Sequence, residues 1–361
     1  MAIARRVTIR DVAREAGVSV ATVSYWLNRR DSGISPATAE MVARTADRLG
    51  YRPSSLAQGL RGRPTRVLGL IVPSVANPSI AMIVRGAEDR ASEAGYSLFL
   101  SNIDRHWDKA TEYTLAMLDR GVGGVGYAFS LADPGHPAAA AARAAGIRVA
   151  FLLPYDPSNV IPEAIMLDNE TGMRLVAHHL WNHGHRRIAF ATASLSTANG
   201  PHRLAGLRAA LEDLGGTLEE DQVYVHEAAS GHLDEAGEIE AGRRAAIVLL
   251  SKPNPPTAIV GVDDMLAMGI LGGARELNLS VPRDVSVVGF DDLAVAQIAQ
   301  PALTTLSVRR YEMGSQLADL LLRSSPPTEP LAPETPMLVA RASTGPAPRV
   351  ATRLVGGDAD T

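Results

Sequence analysis

From Val67 onward the chain alternates two patterns. Short apolar runs, "VLGLIV", "YSLFLS", "VGGVGYAF", "RVAFL", "RIAFAT", "AIVGV" and "VSVVGF", are separated by longer amphipathic stretches such as 79–94 and 264–278. Apolar runs that are continuous rather than alternating describe strands buried on both faces, and helical stretches between them predict parallel sheets with helices on either side. About 280 residues of this pattern exceed one ordinary sheet. The expected α/β architecture is therefore two doubly wound lobes with a cleft between them.

The segment before Val67 is different. Residues 1–66 hold twelve Arg, no Lys and five acidic residues, a balance of +7, whereas the remaining chain carries 23 basic and 34 acidic residues, a balance of −11. A small basic head on a larger acidic body suggests that the head alone meets a polyanion. "TIRD" at Thr8–Asp11 fits a capping box, and Val12, Ala13 and Ala16 recur at helical spacing until Gly17. Ser19 caps a second helix, and Ser35 with Pro36 opens a third that Gly50 closes. A short helix, a turn with Gly and a second capped helix form a helix-turn-helix, whose second helix enters the major groove. The polar stretch "PSSLAQGLRGRPTR" follows; with Leu56 and Leu60 as its one apolar pair, it is marginal as a free helix. After Gly345, "PAPRVATRLVGGDADT" has no sustained periodicity and reads as a flexible tail.

Hydrophobic residues at 46% and charged residues at 20% fit a globular protein rather than a disordered one. No apolar run reaches the roughly 18 residues of a spanning helix, and the N-terminus lacks a secretory pattern, so no membrane association and a cytoplasmic location are expected. With no Cys, disulfides, thiolate metal sites and a Cys nucleophile are excluded.

Taken in order, "VTIRDVAREAGVSVATVSYWLN", "GYRPSSLAQGLRG", "NHGHRRIAF", "HRLAGLRAAL", "VSVVGFDD" and "PMLVARAS" closely resemble the lac repressor family of bacterial transcription regulators, across residues 7–345. The resemblance implies a homodimeric repressor with a DNA-binding head at 1–53, a hinge helix and linker at 54–65, and a core at 66–345 like periplasmic sugar-binding proteins. Its first lobe would comprise about 66–168 and 310–336, its second about 169–309 and 337–345, with the tail at 346–361. Its partners would be a pseudo-palindromic double-stranded operator and a small-molecule effector between the lobes, with no cofactor.

By that resemblance Val20, Ala21 and Tyr25 read base edges in the major groove. Ser19, Thr22, Ser24 and Asn28 supply hydroxyl and amide groups for phosphates. Leu60 wedges into the minor groove, with Ala57 and Gln58 along it. Most family members carry Arg where Tyr25 stands. The neighbouring Trp26, about 100° further round the helix, is placed with Val23 and Leu27 to pack inward.

The effector set is Asn77, Ser79, Arg203, Asp263 and Asp291. Arg203, in "HRLAG", and Asp291, in "GFDD", align with residues that grip effector hydroxyls, and Asp263 stands where Asn is common. A guanidinium fork opposite carboxylates suits a polyhydroxyl ligand, so a sugar is the first expectation, with a nucleoside or amino compound behind it. Two family aromatics are missing: Ser79 follows "NP", and only His232 offers a ring in "AASGHLD". A plainer alternative is that Arg203 and Asp291 form a structural ion pair.

Other motifs carry less. "GVGGVG" at Gly121–Gly126 satisfies a dinucleotide fingerprint but follows a helix and precedes a strand, the reverse of what nucleotide binding requires. His178, His179, His183 and His185 lack any H-E-x-x-H context, so no metal site is expected. Asp263 with Asp264, and Asp291 with Asp292, are read as caps or ligand groups rather than glycosidase acids. No catalytic residues are assigned. A solute-binding protein and a sugar-processing enzyme are the rival classes; the basic head argues against the first, and the lack of a convergent acid–base set against the second.

Overall fold

In a computed structural model the described residues are 7–27, 34–51, 65–128, 135–195, 199–226 and 233–348. The chain divides into two compact units, Met1–Thr65 and Arg66–Thr361.

The first unit contains α1 (Ile9–Glu15), α2 (Val20–Leu27) and α3 (Pro36–Arg48). Thr8 and Asp11 complete the capping box reciprocally. Ser19 Oγ accepts from Thr22 N at 3.0 Å, and Ser35 Oγ from Thr38 N at 3.2 Å. Gly17 and Gly50, both at φ 65°, take the left-handed conformation that ends α1 and α3. Val12, Ala13, Ala16, Val23, Val42 and Ala46 form the core, and Trp26, Leu27, Leu49 and Tyr51 pack against it.

The second unit holds two parallel sheets. The first joins β1 (Val67–Val72), β2 (Ser97–Asn102), β3 (Gly124–Tyr127), β4 (Arg148–Pro154) and β5 (Ala164–Leu167) in the order β2-β1-β3-β4-β5. Along β1, Leu68, Leu70 and Val72 enter one apolar cluster while Ile71 enters another on the opposite face. The second joins β6 (Ile188–Thr192), β7 (Val223–Val225), β8 (Ala258–Gly261) and β9 (Ser286–Val288) in the order β7-β6-β8-β9. All pairings within these sheets are parallel. Each sheet has one point where its strand order reverses, between β1 and β3 and between β6 and β8, and ligands of open α/β sheets bind beyond the strand C-termini there.

Helix α4 (Pro78–Glu93) covers the first sheet with α5 (Lys109–Asp119), α6 (Pro137–Ala144) and α12 (Arg310–Leu322). The second sheet is covered by α7 (Asn169–Asn182), α8 (Asn199–Asp213), α9 (Glu235–Leu250), α10 (Asp264–Glu276) and the short α11 (Ala294–Ile298). The chain crosses between lobes three times, at 167–169, 304–310 and 334–338. β10 (Thr305–Ser307) pairs antiparallel with β11 (Met337–Val339), and Leu167 bridges Glu334.

Four strands were not anticipated from sequence: β5, β7, β10 and β11. At the C-terminal end, Ala347 N donates to His183 O at 2.8 Å, so the segment read as a tail from 346 begins with residues anchored to the second lobe. Residues 349–361 lie outside the described chain. "GVGGVG" indeed runs from the end of α5 into β3.

Candidate functional site

The recognition helix presents one clear face. Val23 is fully buried, whereas Val20 and Tyr25 are 42% and 48% exposed and Ala21 is exposed beside them. Positions 21 and 25 lie about one turn apart, so their side chains share a surface. Ser19 Oγ and Thr22 Oγ1 are 2.9 Å apart at the helix start, and Ser24 is half-buried. Asn28, Ala57, Gln58 and Leu60 lie outside the described residues, as does His232.

The candidate core site is built around the two sheet reversals. Beyond β1, Asn77 caps α4, its Oδ1 accepting from Ser79 N at 2.9 Å, and Ser79 is buried. Beyond β8, Asp263 caps α10, its Oδ1 accepting from Leu266 N at 2.8 Å. Burial, and then the charge of Asp291, raise the Asp263 carboxyl to about 6. Asp264 is wholly buried, held by Leu293 N at 2.7 Å and by the Thr305 hydroxyl; burial lifts it to about 8.

Arg203 on α8 is almost entirely internal. Its Nε donates to Asn169 Oδ1 at 2.9 Å, Nη1 to Val262 O, and its guanidinium carbon stacks 3.4 Å from the centroid of the Phe290 ring. Burial is the main influence on its pKa and lowers it to about 10, while Asp291 acts in the opposite direction. Asp291 instead receives Arg310 Nη2, from the first lobe. The simple Arg203–Asp291 ion pair is thus replaced by two separate sets of partners, although the two charges still influence each other. Asp291 at φ 114° and Asp292 at φ 56° hold backbone conformations that non-glycine residues rarely adopt, at about 1–3 kcal/mol each, a form of strain that clusters at ligand sites.

Residues that the sequence did not single out complete the site. Arg105, following β2, donates through Nη2 to Glu235 Oε1 at 3.2 Å and to Glu238 Oε1 at 3.0 Å, and Ser74 Oγ donates to Glu235 Oε1 at 2.7 Å. These contacts join the first lobe to the first turns of α9 in the second. Burial, and next the charge of Asp263, raise Glu238 to about 8. Acids at a helix start ordinarily complement the helix dipole, which conceals the role of Glu235 and Glu238 in the sequence. Their one sequence signal is that two acids three apart open a helix facing "NIDR".

The histidines have local partners: His179 Nε2 meets Thr344 Oγ1 at 2.9 Å, and His185 Nδ1 and Nε2 meet Thr257 Oγ1 and Gly345 O at 2.9 and 3.0 Å. Among the described residues no cluster of potential metal ligands occurs, and no helix is long and apolar enough to cross a membrane.

Comparison with known proteins places this geometry. Residues 8–54 match the lacI family of bacterial regulatory proteins, and 177–344 match a periplasmic binding protein-like domain. Catabolite control protein A of Priestia megaterium is 32% identical over 319 residues, spanning 88% of this chain and 92% of that protein. The ribose operon repressor of Escherichia coli is 29% identical over 339 residues, 93% and 99% of the two chains. A Lac repressor dimer bound to operator and the anti-inducer ONPF superposes with TM-score 0.79 at 27% identity, covering 94% of this chain and all of that one. The head match, the two-lobed core and a relative 32% identical over 88% of this chain show that this chain belongs to the lacI family of bacterial regulatory proteins.

Proposed function

We propose that this chain is a cytoplasmic, DNA-binding transcriptional repressor that acts as a homodimer on a pseudo-palindromic operator and is controlled by a small polar effector held between the core lobes. The observation that carries this reading is the recognition helix, which buries Val23 and exposes Val20, Ala21 and Tyr25 together. Ser19, Thr22, Ser24 and Asn28 would fix the helix on phosphates, and Ala57, Gln58 and Leu60 would contact the minor groove. The Lac repressor dimer bound to operator, similar over 94% of this chain, supports the same role here.

In the core, Asn77, Ser79, Arg203, Asp263 and Asp291 would meet the effector at the strand C-termini. Effector binding would change the angle between the lobes and so the spacing of the paired heads. The proposed domain limits are head 1–53, hinge 54–65 and core 66–345, with the segment 346–361 starting against the second lobe through Ala347.

Selection from a randomised duplex library, repeated across a salt series, tests the reading. Enrichment of one symmetric site with a steep loss of affinity as salt rises is expected. Equal retention of all sequences would overturn it.

A further inference from the structure

Five acids, Glu235, Glu238, Asp263, Asp264 and Asp291, share the cleft with three guanidinium groups, Arg105, Arg203 and Arg310; burial keeps Glu238 and Asp264 protonated near neutral pH, so ionisation of either adds a negative charge that no guanidinium offsets. The arginines each have partners within the protein, Arg105 in Glu235 and Glu238, Arg203 in Asn169 and Val262 O, and Arg310 in Asp291, although Arg310 Nε is buried without a hydrogen-bond partner. The acids are not saturated. Glu238 uses Oε1 for Arg105, while its Oε2 is buried without a hydrogen-bond partner. The Asp263 side chain uses Oδ1 to cap α10 and makes no other hydrogen bond among the described residues, while its backbone carbonyl accepts from Ala267 N. The helices that carry the two acids cross closely, with Gly242 of α9 against Leu266 O and Gly269 of α10 against Ile239 O, which brings the start of α9 beside the cap of α10.

Two features favour a cation in this corner. A guanidinium already reaches it from the opposite lobe, Arg105, presented by backbone at φ 51° and 58° for Asp104 and Arg105. The site also lies at the C-terminal reversal of the second sheet, beyond β8. A hydroxyl would offer one donor and no charge to the remaining oxygens, whereas an ammonium offers three donors and a positive charge that can take the place of the Glu238 proton.

We infer that the effector carries an ammonium group, bound between Glu238 and Asp263 on a small polar frame that spans the cleft. This rests on the reading of the cleft as the effector site. Glu238 is faced by Arg105 from the first lobe, by Glu235 on its own helix and by Asp263, behind which stand Asp291 and Arg203. Burial keeps its proton near neutral pH, so an arriving R–NH3+ displaces that proton: the carboxylic acid becomes carboxylate, and one proton passes to the buffer.

The test uses the full chain and three matched pairs: D-glucosamine with D-glucose, D-galactosamine with D-galactose, and putrescine with 1,4-butanediol. Titration calorimetry near neutral pH in two buffers of different ionisation enthalpy reads both affinity and proton release. At least one amine is expected to bind about tenfold more tightly than its neutral partner and to release a proton. Glu238→Gln should abolish that preference; Asp263→Asn, which keeps the capping oxygen, should weaken it even if the first variant folds poorly. Neutral partners binding as well as the amines, no amine binding at roughly 10 mM, or an undiminished preference in both variants would overturn the inference. Operator selection on the same preparation separates the failures, because retained site-selective DNA binding leaves the regulator reading standing when the ammonium site falls.

Discussion

Gly242 on α9 and Gly269 on α10 lie at one helix crossing, each against the other helix's backbone. A Cβ on Gly242 would overlap Leu266 O, and one on Gly269 would overlap Ile239 O. This crossing is what brings the start of α9, with Glu235 and Glu238, beside Asp263 at the cap of α10. Gly269→Ala should therefore separate the helices and destabilise the core by about 1–3 kcal/mol, as overpacking does. Urea denaturation measures this; an unchanged midpoint would show that the crossing relaxes freely.

Tyr25 offers one hydroxyl and a ring face where arginine would grip guanine through two donors. Tyr25→Arg should shift selection toward guanine at one position per half-site, by about 1–3 kcal/mol. Identical enrichment by wild type and variant would remove Tyr25 from the base readers. Trp26, packed on the head core, should behave differently: Trp26→Ala should lower the head's stability by about 2 kcal/mol without changing the preferred sequence.

Arg203 combines two internal hydrogen bonds with ring stacking, so its fork is held rigidly. Arg203→Lys keeps the charge but loses the planar fork. The expected variant still selects the operator, while the effector concentration needed for response rises at least about tenfold, or ~1.4 kcal/mol. DNA-binding anisotropy against effector concentration decides it, and an unshifted response would make Arg203 a purely structural residue.

Stability should depend on pH in a defined direction. Glu238 and Asp264 are raised to about 8, in both cases chiefly by burial, against about 4 for unfolded carboxyls. Between those values the folded chain keeps protons that the unfolded chain has lost, so this stabilising contribution declines as pH rises and is gone above about 8. His179 and His185, lowered from 6.5 mainly by burial, act in the opposite sense below that value. The melting temperature should accordingly fall from about pH 7 to 8.5, and Glu238→Gln should flatten the decline. A rise across that window would contradict the assignment.

Much of the architecture is legible in the sequence because its signals are local. Thr8, Ser19, Ser35 and Gly50 mark helix ends through their own chemistry, and "VLGLIV" is a strand because burial on both faces leaves no polar position. β5 escapes notice because "AIML" is only four residues long, and β7 because it is an incompletely buried edge strand. β10 and β11 are three residues each and owe their pairing to tertiary position. Within the site, Asp263 and Arg203 stand in recognisable motifs. Arg105, Glu235 and Glu238 do not, since their meeting depends on two residue ranges some 130 apart being closed onto each other.

The three crossings between the lobes are themselves tied together: Asp168 N donates to Glu334 O, Glu334 N to Met166 O, and Arg309 pairs with Glu334. Two plates joined by a single strand could swivel in any direction, but a laced band of three suppresses twist and shear and leaves bending as the soft motion. A ligand that closed the cleft would therefore drive one reproducible displacement, turning chemical recognition at one end into a mechanical stroke of fixed direction.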